Sequence, residues 1–150
     1  MKDYTTIAAI EANIPRQYLI EGLNDKKLDR TQPDPTRINL KIWREVLKGA
    51  QTQVNALLAP RYPTPFVNPI PDLVTLATTV FVCEVVYRRR DTPDDKNPWF
   101  NTAEDIRKQL KAIAADPDKD GLGIETPPAT KTVAATTAPS KLGKPTRNLT

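Results

Sequence analysis

Few residues in this 150-residue chain could carry out chemistry. Histidine, the commonest general base and zinc ligand, is absent. The available nucleophiles are Ser140, the threonines and Cys83, and Cys83 lies in the most apolar stretch, where a thiol stays protonated and unreactive. The five glycines are scattered and form no phosphate-binding loop. The sequence therefore does not favour an enzyme, and we predict no catalytic residue and no cofactor.

One acidic run resembles the beginning of a calcium-binding loop. Asp116, Asp118 and Asp120 alternate and are followed by Gly121. The twelfth position of such a loop requires a bidentate glutamate, and here that position is Pro127. A single cysteine also excludes a thiolate cluster and an intramolecular disulfide. We interpret the run as a solvated turn and predict no metal.

Three consecutive arginines, Arg88, Arg89 and Arg90, follow the most apolar run. Cations at the end of a helix interact favourably with its partial negative charge, which is one interpretation. The other is that the cluster faces an anionic partner, either protein carboxylates or nucleic acid. Both interpretations remain open on the sequence alone.

The net charge of the chain lies entirely in its C-terminal region. Residues 126–150 contain four basic and no acidic residues, whereas residues 1–125 contain 18 of each. This region is rich in Thr, Ala and Pro and lacks aromatic residues, so it cannot bury enough apolar surface to fold alone. We predict an extended arm that binds a partner as a tether. Its predicted contact residues are Lys131, Val133, Lys141, Lys144 and Arg147.

Apolar spacing predicts that the remaining chain is helical. Steps of three and four indicate an amphipathic helix over residues 37–58, capped by Thr36. Residues 71–90 are apolar on all sides, which predicts a central, nearly fully buried helix. A strand over the VFVCEVV run is the alternative, given its branched residues. We also predict two short helices, from Thr5 or Thr6 to Ala12 and from Pro15 to about Asn24, and a last helix over 101–115.

These elements predict a small all-α helical bundle around one central buried helix. The helical domain should comprise residues 1–118, and the extended basic arm residues 119–150. The apolar run from Leu73 to Val86 is shorter than a bilayer span and contains Glu84, so it does not predict a membrane segment.

The stretch RYPTPF, residues 61–66, lies among five prolines between Pro60 and Pro71 and forms what we call the elbow. Proline fixes the backbone before binding and so lowers the ordering cost at an interface. Arginine and tyrosine are favoured in interface hot spots. The alternative is that Tyr62 caps the domain core. The predicted interface residues of the elbow are Arg61, Tyr62, Pro63, Pro65 and Phe66.

The elbow and its two flanking helices resemble the Mu-like head–tail joining proteins of tailed phages, a family of head–tail connectors. In that pattern a long helix ends in Leu-x-x-Arg-Tyr-Pro-x-Pro, and a buried helix follows that ends in tyrosine and arginines. The resemblance covers about residues 4–115, while the proline-bearing loop after Asn24 and the C-terminal arm have no evident counterpart. The matching residues are Leu58, Arg61, Tyr62, Pro63, Pro65, Pro71, Leu73, Tyr87, Arg88 and Arg89.

This resemblance implies an all-helical virion protein that forms a ring, usually of twelve copies. The ring would bind the portal protein and a downstream neck or tail-terminator protein in the virion neck, after assembly in the host cytoplasm. Genomic DNA would pass through it without sequence-specific binding, and no membrane is involved. The alternative function is a helical nucleic-acid-binding regulatory module that uses the basic tail. Against that alternative, we expect no helix to carry a basic stripe.

Overall fold

The computed structural model describes residues 1–24, 37–118 and 121–123. Within these ranges the chain forms five α-helices and one short 3₁₀ helix, and no strand. The all-α fold predicted from the sequence is confirmed. The elements in chain order are α1 (Ile7–Glu11), α2 (Arg16–Gly22), α3 (Leu40–Leu58), α4 (Asp72–Arg89), the 3₁₀ helix (Asp94–Lys96) and α5 (Phe100–Ala115).

The two short N-terminal helices begin where the sequence predicts. The Thr6 hydroxyl accepts a hydrogen bond from the Ala9 amide and caps α1. Pro15 precedes the first residue of α2, where a missing N–H removes no helical hydrogen bond. The Thr5 hydroxyl is buried against that of Thr79, with the two oxygens 2.8 Å apart. This contact joins the N-terminal segment to α4.

Helix α3 begins three residues later than predicted. Its cap is Asn39, whose side-chain oxygen accepts from the amides of Lys41 and Ile42 at 3.0 and 3.4 Å. The predicted cap, Thr36, lies outside the described residues. The predicted apolar stripe is confirmed, because one face of α3 is buried. Its buried residues are Ile42, Trp43, Val46, Leu47, Ala50, Gln51, Val54 and Leu58.

Helix α4 is the centre of the bundle, as predicted, and the strand alternative for residues 80–86 is wrong. The helix contacts each of the other four α-helices. Every residue from Ala77 to Glu84 is buried, and Val86 is buried as well. The expectation of nearly complete burial is too strong, however, because Leu76 is 52% exposed near the beginning of α4. No helix in the described ranges is long and apolar enough to cross a membrane.

Helix α5 packs against α3 and α4. Its buried residues recur at steps of three and four and are Ala103, Ile106, Leu110 and Ile113. Trp99 and Phe100 at its start are half-buried, and Trp99 packs against the core. The helix ends at Ala115 and is followed by Asp116 and Pro117, as predicted.

Gly22 permits the close approach of α2 to α4. A Cβ atom at Gly22 would lie 2.7 Å from the Val86 carbonyl oxygen and 2.8 Å from Val86 Cγ1. The Gly22 carbonyl also accepts a hydrogen bond of 2.7 Å from Arg89 Nε. The α2–α4 contact therefore has no room for any side chain at position 22.

We expect Gly22→Ala to lower the free energy of unfolding by about 1–3 kcal/mol, because the added methyl group would separate α2 from α4. The matched control is Gly49→Ala on α3, where a Cβ would meet no atom within 4 Å. That substitution should stabilise the helix by about 0.5–1 kcal/mol. Chemical denaturation of both variants measures the difference, and equal effects at the two positions would refute the packing argument.

Candidate functional site

Cys83 is poorly placed for nucleophilic chemistry. Its side chain is fully buried in α4, and burial raises the pKa of its thiol to about 12. The thiolate that a nucleophile requires is therefore absent at neutral pH. Among the described residues, no group of three His, Cys, Asp or Glu side chains is arranged to hold a metal ion. Asp120 of the calcium-like run lies outside these residues.

Arg61 of the elbow binds the end of α5. Its Nη1 donates to the carbonyl oxygens of Ile113 at 2.8 Å and Asp116 at 3.0 Å, and its Nη2 donates to that of Pro117 at 3.2 Å. These carbonyls follow or end the helix, where no helical amide can satisfy them, and a cation there is favourable. Arg61 thus fixes the elbow to a helix more than 50 residues away in sequence.

The two aromatic side chains of the elbow point into the core. Tyr62 and Phe66 are only 3% and 5% exposed. The Phe66 amide donates to the hydroxyl of Tyr4 at 2.7 Å, and the Phe66 and Tyr4 rings pack edge to face. The Tyr62 hydroxyl accepts from the Leu122 amide at 3.1 Å. These contacts match the alternative that Tyr62 caps the core, and an interface role for Tyr62 stays a prediction.

The outward-facing side of the elbow, together with residues 67–69 that follow it, is exposed and largely apolar. Pro63 and Pro65 face solvent, as do Pro69 and Val67, and Val67 is 75% exposed. The peptide bonds Thr64–Pro65 and Asn68–Pro69 are cis. The structure therefore divides the predicted elbow residues into two sets. Arg61, Tyr62 and Phe66 hold the elbow to the domain, whereas Pro63 and Pro65 face outward.

The three arginines at the end of α4 all make contacts within the domain. Arg88 pairs with Glu84 at 3.1 Å and with Asp94 at 3.3 Å. Arg89 donates to the end of α2, as described above. Arg90 stacks on the Tyr18 ring, 3.6 Å from its centroid, and pairs with Glu21 at 2.8 Å. The cluster therefore holds α2 and the α4–α5 connection in place. A role toward an anionic partner stays a prediction.

The predicted contact residues of the C-terminal arm lie outside the described residues. They are Lys131, Val133, Lys141, Lys144 and Arg147.

A buried ion pair between α4 and α5 was not predicted from the sequence. Glu84, only 1% exposed, contacts Arg107 through both carboxylate oxygens, and Arg107 also contacts Glu104 at 2.6 Å. Burial alone lowers the pKa of Arg107, but its hydrogen bonds and charge interactions with Glu84 and Glu104 outweigh burial and raise it above the usual value. The signal was available: an acid within an apolar helix requires a buried partner.

Helix α3 carries a cationic surface that was also not predicted from the sequence. Lys41, Arg44 and Lys48 are all exposed and follow one another at steps of three and four. At about 100° per residue, these positions fall within an arc of about 60° on one side of the helix. The expectation that no helix carries a basic stripe is therefore wrong. We call these three residues the α3 stripe.

A solvent-open groove of about 580 Å³ lies between α3 and α4. Gly49, Ala50 and Ala56 of α3 and Phe81 and Val85 of α4 make its lining mostly small and apolar, and Glu45 and Arg89 contribute opposite charges. Thr52 and Gln53 add two neutral polar side chains to this lining. An open groove with a mostly small and apolar lining is suited to packing against another surface.

Together, these features define a small helical protein whose notable surfaces are suited to assembly: an apolar elbow, a groove and a cationic stripe. The family described as Bacteriophage Mu, Gp36 matches residues 4–138. The chain belongs to this family and is a phage structural or morphogenesis protein, associated with the virion. The match includes the loop after Asn24 and part of the arm, so the resemblance over 4–115 was too short. Comparison with curated proteins and with solved structures gave no match.

Proposed function

We propose that the protein is a head–tail connector that forms a ring of twelve copies between the portal and the tail. The ring continues the DNA channel in the virion neck, and its lower side binds a neck or tail-terminator protein. The observation that carries this proposal is the family match over residues 4–138, which makes the chain a phage morphogenesis protein. The connector role in particular is supported by the resemblance of the elbow and its flanking helices to head–tail joining proteins.

The construction of the elbow supports a role in assembly. Its exposed side presents Pro63 and Pro65, with Val67 just after it, while Arg61, Tyr62 and Phe66 hold its buried side to the domain. A surface that is already rigid loses little conformational freedom when a partner binds. Leu76, also exposed, adds a further apolar residue at the beginning of α4. Single exposed apolar residues are common, but a stiff apolar segment is a favourable contact surface.

We expect the isolated protein to assemble weakly and to form rings when the portal protein is present. Mass photometry of the purified chain with and without portal should show a portal-bound complex, and negative-stain electron microscopy should show its symmetry. Complete rings of the chain alone at low micromolar concentration would show that the portal is not required as a template. Absence of any ring or portal complex under all conditions would refute the connector assignment.

Val67→Asp, at the residue that follows the elbow, tests whether this exposed apolar surface contributes to assembly. The charge would be desolvated at an apolar contact, so portal-templated assembly should weaken at least about tenfold, or 1.4 kcal/mol. The melting temperature should not change, since Val67 is 75% exposed. The control Thr102→Asp places the same charge on the exposed first turn of α5, where it suits the helix dipole. If both variants assemble equally well, the elbow is not an interface.

The alternative function, a nucleic-acid-binding regulatory module, gains one supporting observation from the α3 stripe. The same mass photometry experiment separates the two functions. A monomer that shifts only when DNA is added would favour the regulatory module, and a portal-dependent complex favours the connector.

A further inference from the structure

The α3 stripe stands out because no side chain of the described domain pairs with its charges. The side chains of Lys41, Arg44 and Lys48 form no hydrogen bond or ion pair with the residues that the structure describes. Most other cations near the core are engaged by carboxylates or carbonyl oxygens. These engaged residues are Arg61, Arg88, Arg89, Arg90 and Arg107.

The stripe is also a local feature and not a consequence of general basicity. Residues 1–125 contain equal numbers of basic and acidic side chains. Glu45 is the one acid among the exposed residues of α3, and its position is turned about 40° from Lys41. Three free cations on one side of a helix, in a neutral domain, create a localised positive potential.

We propose that the α3 stripe binds the phosphate backbone of duplex DNA without reading its sequence. The inference deepens the proposed function and rests on it for its biological setting, because a connector has DNA passing through its centre. In that setting α3 would face the channel. The binding chemistry itself requires only the free chain and a duplex.

The spacing of the stripe suits a phosphate backbone. Seven residues separate Lys41 from Lys48, which corresponds to a rise of about 10 Å along the helix. One DNA strand presents a phosphate about every 3.4 Å of axis, so the stripe spans about three phosphates. Non-specific binding needs only charge at this density, since phosphate contacts position a protein and carry no sequence information.

The composition of the surface favours DNA over an acidic protein surface. Two of its three cations are lysines, which are depleted in protein–protein interfaces, whereas tyrosine and tryptophan are enriched there. Around the stripe α3 exposes Leu40, Glu45 and Thr52, and no aromatic residue. A strongly hydrated ammonium on a flexible stem binds phosphate as a point charge and loses little by staying partly in water.

The test measures how the affinity of the full chain for a short duplex DNA depends on salt. Each phosphate contact contributes about −0.9 to the slope of log K against log salt, so three contacts contribute about −2.7. The variant with Lys41→Gln, Arg44→Gln and Lys48→Gln should lose this part of the slope. Between about 50 and about 200 mM salt, the affinity of the wild-type chain should fall about 40-fold more than that of the variant.

Two further variants make the result specific to the stripe. Lys96→Gln, Lys108→Gln and Lys111→Gln remove the same charge from exposed positions elsewhere and should leave the slope nearly unchanged. Replacing Lys131, Lys141, Lys144 and Arg147 by glutamine measures any contribution of the arm, and a stripe-dependent slope of about −2.7 should persist. Circular dichroism melting should be unchanged for all variants, because the described positions are solvent-exposed.

Three results would overturn the proposal. Equal loss of slope in the stripe and control variants would mean that only net charge matters. Loss of the whole slope in the arm variant would assign DNA binding to the arm. Unchanged DNA binding with weaker portal binding in the stripe variant would make α3 a protein contact. If the chain binds DNA through the stripe but never binds portal, the connector function fails and the stripe assignment stands.

Discussion

Arg107→Met should lower the free energy of unfolding by about 3–5 kcal/mol. The substitution removes the main partner of Glu84, which is only 1% exposed in the middle of α4. Breaking a buried ion pair on one side leaves an uncompensated charge, and this cost exceeds that of losing the pair itself. Arg88 still contacts Glu84 at 3.1 Å, so the carboxylate keeps one partner and the effect should lie toward the lower end of this range. Because Arg88 is half exposed, it compensates only in part. Chemical denaturation followed by circular dichroism measures it.

The double variant Glu84→Met with Arg107→Met is the decisive control. Two apolar side chains of similar length would replace the buried pair, and such replacements are often neutral or stabilising. The second substitution should therefore restore most of the stability that the first one removes. A double variant no more stable than Arg107→Met would show that the stacking of the Arg107 guanidinium on the Phe81 ring, with its carbon 4.9 Å from the ring centroid, matters more than the ion pair.

The pH dependence of this interaction follows from the raised pKa of Arg107. A group whose pKa is higher in the folded than in the unfolded state contributes its full stabilisation of the fold at pH values below the unfolded-state pKa. It loses that contribution only as the pH rises through the folded-state pKa. Because both values for arginine lie far above neutrality, the contribution of Arg107 should be constant across the neutral range.

Helix type and core position were readable from the sequence because they depend on local periodicity. The apolar steps of α3 and α5 identified their buried faces, and the all-round apolar character of α4 identified the centre. The start of α3 was misplaced because Asn39 and Thr36 are both good caps, and local sequence does not decide between them.

The contacts of the elbow could not be read in this way. Arg61 reaches Ile113, and Tyr62 meets Leu122, over more than 50 residues of intervening chain. An arginine and a tyrosine between prolines look like an exposed binding segment until the fold brings their partners to them. The α3 stripe had a local signal, but the equal charge totals of residues 1–125 concealed it.

Val80→Asp should abolish folding or reduce stability by several kcal/mol. Val80 is 2% exposed on the central helix, and a carboxylate there has to be desolvated or protonated. It would also lie one turn before Glu84, so that a second negative charge would compete for Arg88 and Arg107.

The matched control for Val80→Asp is Leu76→Asp, one turn earlier on the same helix and 52% exposed. It makes the same kind of change, from an aliphatic side chain to aspartate, where the carboxylate remains hydrated. Lower helix propensity and partial loss of packing should cost only about 1 kcal/mol. Thermal melting of both variants compares them directly. Normal melting of Val80→Asp, or equal destabilisation of the two, would contradict the central placement of α4, because only burial distinguishes these positions.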